Sequence, residues 1–156
     1  MYYIGYINKG VIMMGKINIL LVDDESFLLD QAKIFLEREK EELNVITASS
    51  AEEGLDLLDE EDIDVIVSDY KMPEMNGLEF LRMIRKGKND DLPFIIFTGK
   101  GREEVAMKAL NFGANRYLLK KGDPQSQYGV LAQAIVQEYK KWKSEKQLKK
   151  SKKKYE

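Results

Sequence analysis

The sequence predicts an α/β protein with a parallel, doubly wound sheet. Five short apolar runs, rich in β-branched residues, alternate with five stretches whose apolar residues recur at helical spacing. At 156 residues and 44% hydrophobic content, the chain can fill one full core. Runs that alternate with helices pair in parallel through right-handed crossovers, which puts helices on both faces of the sheet.

Ile17–Val22 (INILLV) reads as a strand buried on both faces. Ser26, a good helix cap, introduces a helix over 27–41 with Phe27, Leu28, Ile34, Phe35 and Leu36 near helical spacing. Leu43–Ala48 (LNVITA) is the second strand. The helix over 50–59 starts as Ser50-Ala51-Glu52-Glu53, a capping-box pattern, and carries Leu55, Leu57 and Leu58. Val65–Ser68 (VIVS) is the third strand, and 78–86 a helix with Leu78, Leu81 and Ile84 on one side. Phe94–Thr98 (FIIFT) follows Pro93 as the fourth strand. The helix over 103–112 stops at Gly113, which suits the left-handed position after a helix. Arg116–Leu119 is the fifth strand. The last helix starts near Pro124, tolerated in a first turn, and runs through Leu131, Ile135 and Tyr139.

The division that follows is a leader over 1–15, a domain over 16–138 and a basic helical tail or linker over 139–156. The leader is expected to be disordered, or to lie upstream of a true start at Met13 or Met14. No apolar run approaches the roughly 18–20 residues that span a bilayer, and no signal-peptide pattern is present. The tail holds nine lysines against Glu145 and Glu156, a surplus of seven positive charges. The net charge of −2 therefore leaves residues 1–138 at −9. Cysteine is absent, which removes disulfide and thiol chemistry and fits a reducing, cytoplasmic setting. Histidine is absent as well, which removes Ser-His-Asp catalysis, histidine-ligated zinc and phosphohistidine chemistry within the chain. Carboxylates, lysines and hydroxyls remain.

A doubly wound sheet binds its ligand beyond the carboxyl ends of its strands. Asp23, Asp24 and Glu25 follow the first strand, Asp69 the third, Thr98 ends the fourth and Lys120 follows the fifth. Any one of these is an ordinary polar strand end. Together they suit phosphoryl transfer to a carboxylate. Asp69 can act as nucleophile and form an acyl phosphate. Asp23, Asp24 and Asp69 are hard oxygen ligands for Mg²⁺ or Mn²⁺, which relieves their mutual repulsion. Lys120 offers a point charge to a phosphoryl oxygen, and Thr98 a hydroxyl.

The segments 20–25 (LLVDDE), 65–77 (VIVSDYKMPEMNG), 97–99 (FTG) and 113–120 (GANRYLLK) resemble, in order, those of response-regulator receiver domains. The resemblance spans roughly residues 17–138. It implies a flavodoxin-like (βα)5 fold with strand order 2-1-3-4-5. It implies Asp69 as phosphoacceptor, with Asp23, Asp24, Asp69 and the backbone carbonyl of Lys71 as the Mg²⁺ site. Thr98 and Tyr117 take the switch roles, and Lys120 that of the family's lysine. Pro73 and Gly77 shape the loop after the nucleophile. Tyr117 also reads as an ordinary strand aromatic.

The family usually follows its lysine with proline, often across a cis bond. Here Lys121 and Gly122 follow, as in a variant loop of some archaeal receivers, and a trans loop is expected. Spacing from Thr98 favours Lys120 over Lys121 as the residue reaching the site.

The implied function is that of a two-component phosphoprotein rather than an enzyme in the usual sense. It would receive its phosphoryl group from a sensor histidine kinase and signal to an unknown downstream protein. A homodimer through the fourth helix, fifth strand and fifth helix belongs to the same picture. The tail carries no DNA-binding domain motif. It reads as a solvated helix extension, as a linker to a PAS or kinase module in a longer signalling protein, or as a polyanion-binding segment of a docking module that is not phosphorylated.

Overall fold

The computed structural model describes residues 3–7, 10–88, 91–99 and 101–154. In chain order the elements are β1 (Tyr3–Ile7), β2 (Gly10–Met14), β3 (Ile17–Val22), α1 (Ser26–Glu39), β4 (Leu43–Ala48), α2 (Ala51–Glu60) and β5 (Val65–Ser68). Then come α3 (Gly77–Lys86), β6 (Phe94–Thr98), α4 (Glu103–Asn111), β7 (Arg116–Leu119) and α5 (Pro124–Lys154). The main sheet is five-stranded and parallel, ordered β4-β3-β5-β6-β7. Counted from β3, this is the 2-1-3-4-5 order.

Side chains alternate across each strand, and the alternation builds two cores. Ile17, Ile19, Leu21, Val65, Val67, Ile95 and Phe97 pack with α1 and α5 on one face. Leu20, Val22, Ile66, Phe94 and Ile96 pack with residues of α2, α3 and α4 on the other. Because both faces are covered, β3, β5 and β6 are buried along almost their whole length. All five strand boundaries coincide with the apolar runs in the sequence.

Helix starts differ more from the expected pattern. Ser26 is the first residue of α1 and not its cap. Glu25 stands at that position with no side-chain hydrogen bond, and its amide donates to Asp23 Oδ1 at 3.0 Å. Only half of the expected box forms at α2: Ser50 Oγ accepts from the Glu53 amide at 3.1 Å, while the Glu53 carboxylate turns to Ser49. The complete box is at α3. Asn76 accepts from the Glu79 amide at 2.9 Å, and Glu79 accepts from the Asn76 amide at 3.1 Å. At the start of α5, Asp123 accepts from the amide of Ser126.

Over 1–15, expected as a disordered leader or as a stretch upstream of a true start, residues 3–7 and 10–14 pair as an antiparallel ladder from Tyr3↔Met14 to Ile7↔Gly10. These ten positions are rich in tyrosine and β-branched residues, which suit a strand. At the other end, the tail continues α5 as one helix of 31 residues, since no proline or glycine interrupts it after Gly129.

Polar side chains cluster at the amino-terminal ends of β3, β4 and β5, opposite the carboxyl ends. The Asn18 amide donates to Asp64 Oδ2 at 2.8 Å, Asn18 Nδ2 to the Asp62 carbonyl at 2.8 Å, and Asn44 Nδ2 to Asn18 Oδ1 at 3.0 Å. Burial raises the pKa of Asp64. The Asn18 hydrogen bond and the charge of Lys143 oppose that shift, and Asp62 adds to it. The folded chain thus holds this proton more tightly than the unfolded one. Relative to Asp64→Asn, the wild type should gain stability as pH falls through the raised value. The gain levels off once the unfolded carboxylate is protonated too. Urea unfolding of both proteins from neutral to mildly acidic pH checks the sign.

Candidate functional site

Three strand ends deliver the acids and the cation. β3 ends at Val22, and the Asp23 amide donates to the Ala48 carbonyl at 3.1 Å, which carries the strand pairing one residue further. Asp69 follows β5, and its amide donates to the Val22 carbonyl at 2.9 Å. The two carboxylates are therefore neighbours through adjacent, hydrogen-bonded backbones. Asp23, Asp24 and Asp69 each place a carboxylate oxygen within 4.8 Å of the others.

Lys120 follows β7, whose register sets Phe97 opposite Leu118 and Thr98 opposite Leu119. Its amide donates to the Thr98 carbonyl at 2.9 Å. Strand alternation then sends Lys120 to the same side as Leu118 and Phe97. Its Nζ lies 2.9 Å from Asp23 Oδ2, 3.8 Å from Asp69 Oδ2 and 5.5 Å from the Phe97 ring centre. Lys121 is exposed, so the geometry favours Lys120, as the spacing did. No peptide bond among the described residues is cis, in line with the trans loop expected after Lys120.

A cleft of about 600 Å³ opens over this group, lined by Asp24, Asp69, Lys71, Pro73, Thr98 and Lys120 among others. The Asp69 carboxylate is held from below by the Tyr70 amide, which donates to Oδ1 at 2.7 Å. Its pKa is raised, first by burial. Lys120 opposes the shift, Asp23 adds to it, and the Thr98 hydroxyl and Tyr70 amide again oppose it. Lys120 thus meets Asp23 and Asp69, and Asp24 completes a cluster of three carboxylates. The excess of hard oxygen donors fits Mg²⁺ or Mn²⁺, with Asp23, Asp24 and Asp69 as the residues to hold it.

Tyr117 stands apart from the cleft. It shares a sheet face with Thr98, because Ile96 is its register partner. Its ring packs with the core beneath α2, α3 and α4. Its hydroxyl is buried, and a Cβ placed on Gly101 would lie 3.2 Å from it. Burial raises the phenol's pKa. Gly77 does more than shape a loop. A Cβ there would lie 2.4 Å from the Asp69 carbonyl oxygen and 3.0 Å from the Tyr70 Cα, so the start of α3 sits directly against the backbone of the acceptor segment.

Two contributors were missed in the sequence. Ser68 Oγ donates to the Asp69 carbonyl at 2.8 Å, and the Phe97 ring flanks the Lys120 ammonium. Ser68 was legible only as a polar residue closing an apolar run. Phe97 was hidden among core residues, although period-two alternation puts it on the side to which Lys120 points.

The model of the response regulator receiver domain matches residues 19–131. The chain is 38% identical over 109 residues to a chemotaxis protein CheY homolog of Campylobacter jejuni, covering 69% of this chain and 83% of that one. It is 36% identical over 108 residues to the response regulator SaeR of Staphylococcus aureus, covering 69% of this chain and 46% of SaeR. Among solved structures, a CheY-like receiver domain protein from Methanospirillum hungatei superposes with a TM-score of 0.73 at 30% identity, covering 84% of this chain and 99% of that one. One from Clostridium thermocellum gives 0.71 at 37% identity, with 81% and 97% covered. The five-stranded sheet with acids at its rim, the family match and these likenesses agree: the chain belongs to the response regulator receiver domain family.

Proposed function

We propose that the protein accepts a phosphoryl group on Asp69 from a sensor histidine kinase, in a Mg²⁺-dependent reaction, and thereby switches a surface that a downstream partner reads. The observation that carries this reading is the convergence of Asp23, Asp24 and Asp69 within 4.8 Å, with Lys120 paired to Asp23 and facing Asp69. An Asp69 carboxylate oxygen attacks phosphorus, and the donor's bond to phosphorus breaks with its electron pair leaving on the donor. Asp23, Asp24, Asp69 and the Lys71 carbonyl are the ligands we assign to the ion. Bound there, it would neutralise the clustered acids and the incoming phosphoryl oxygens.

Lys120 and Thr98 orient the remaining oxygens. Phosphorylation adds about −1.5 to −2 charges to the site. Thr98 moving toward that charge would vacate space on the face it shares with Tyr117, whose hydroxyl is buried. The surface of α4, β7 and α5 then changes population between two states, which offers a site for a partner or a second copy. The chain acts here as a phosphoacceptor that assists its own modification, not as an enzyme on a separate substrate. No helix among the described residues is long and apolar enough to cross a membrane, and we assign the protein to the cytoplasm, where such kinases present their phosphohistidine.

Intact-mass spectrometry after incubation with acetyl phosphate tests the reading. The wild type should gain one phosphoryl group with Mg²⁺ and none with a chelator, and Asp69→Asn should gain none. Equal labelling of Asp69→Asn would overturn it. A second reading places this receiver at the front of a longer signalling protein with a PAS or kinase module. It is favoured by α5, which continues unbroken through Lys154.

A further inference from the structure

Trp142 is the last residue of α5 that packs on the body. Every side chain described after it, from Lys143 to Lys152, is exposed, although the backbone stays helical. Between Lys140 and Lys152 the helix carries seven lysines against Glu145. None of the seven is in an ion pair with another described residue. At about 100° per residue, Lys143, Lys146 and Lys150 gather on one flank, Lys141 and Lys152 on the opposite one, and Lys149 lies between. Lys143 and Lys146 sit over the rings of Tyr139 and Trp142, at 5.6 and 4.4 Å from their centres.

We propose that this projecting part of α5 binds the phosphate backbone of duplex nucleic acid without regard to base sequence. A helix about 10–12 Å across fits a major groove about 12 Å wide, where phosphate rows run on both sides. Cations on both flanks match that geometry. A flat anionic membrane calls for cations on one face and an apolar opposite face. Among the described residues, Leu148 is the one large apolar side chain exposed beyond Trp142. The same lysines oppose a coiled-coil seam between two copies, because the stripe that faces the core up to Trp142 continues as Lys146, Lys149 and Lys150. The body carries −9 over residues 1–138 and repels phosphate, so contact is confined to the tail.

Fluorescence anisotropy of the full chain with two short duplexes of unrelated sequence tests this, independently of whether Asp69 is phosphorylated. Both duplexes should bind alike. With about five phosphate contacts, affinity should fall roughly 500-fold between about 50 and 200 mM salt. The variant K143Q/K146Q/K149Q/K150Q/K152Q keeps helix-forming side chains and changes only exposed residues of the tail. It should lose the binding while retaining the wild-type circular dichroism spectrum and phosphodonor labelling. Absence of duplex binding at low salt would overturn the proposal. So would unchanged binding by the glutamine variant, or binding to phosphatidylserine vesicles but not to duplex.

Discussion

Replacing Gly77 with alanine is expected to destabilise the protein by about 3 kcal/mol, the upper end for overpacking a well-packed site. The added methyl would lie 2.4 Å from the Asp69 carbonyl oxygen and 3.0 Å from the Tyr70 Cα. Both are backbone atoms, so neither can yield by rotating a side chain. Moving α3 away would break the hydrogen bond from the Gly77 amide to the Tyr70 carbonyl at 2.7 Å and disturb the capping box at Asn76 and Glu79. Moving the other side would shift Asp69 itself. Urea unfolding measures the stability loss. Phosphodonor labelling of the fraction that remains folded should show slower modification than the wild type, because the acceptor has moved relative to Asp23 and Lys120. By contrast, the methyl of Gly99→Ala would meet nothing within 4 Å among the described residues and should leave stability nearly unchanged.

Lys120→Met should produce the largest functional loss short of removing Asp69. The ammonium is mostly buried, with 14% of its side chain exposed, and Asp23 opposite has 7%. Truncating one partner leaves the other charge uncompensated, at a cost of about 3 kcal/mol. The deficit should shrink when Mg²⁺ is added, because a divalent cation held by Asp23, Asp24 and Asp69 takes over part of the neutralisation. Labelling by a small phosphodonor should slow on the order of 10²-fold, the usual loss when one preorganised donor to a developing charge is removed. Thermal melts with and without Mg²⁺, alongside a time course of intact mass, separate the two effects. A deficit that Mg²⁺ leaves unchanged would show that lysine and metal do not share the same acids.

The central strands were legible because burial on both faces leaves uninterrupted apolar runs. Ile17–Val22 and Phe94–Thr98 needed no more than that. The acids were legible because a parallel sheet must place its ligand groups after such runs, which picked out Asp23, Asp24, Asp69 and Lys120 without side-chain coordinates. Helix starts were less legible. Ser50 caps α2 as expected, but the chain leaving Asp23 turns so that Glu25, not Ser26, stands at the cap of α1. The complete box at α3 uses Asn76 and Glu79, spaced as such a box requires but preceded by a loop that drew attention to Pro73 and Gly77 instead. The role of Gly77 depends on how closely α3 approaches the segment after β5, a tertiary distance that no local pattern encodes. The pairing of β1 with β2 was missed because two short runs of mixed aromatic and aliphatic residues beside Gly5 and Gly10 carry no clean alternation.

We propose that the acids at the rim of the sheet hold a divalent ion and a phosphoryl group together, with Asp69 as the anchor. Thermal melts with Mg²⁺ and beryllofluoride, a stable mimic of the phosphoryl group, test that claim most directly. A ligand pair that binds only the folded state raises the melting temperature. The wild type should be stabilised more by the two together than by either alone, and Asp69→Asn should lose the joint effect. An equal joint effect in wild type and Asp69→Asn, or none in the wild type, would contradict the account.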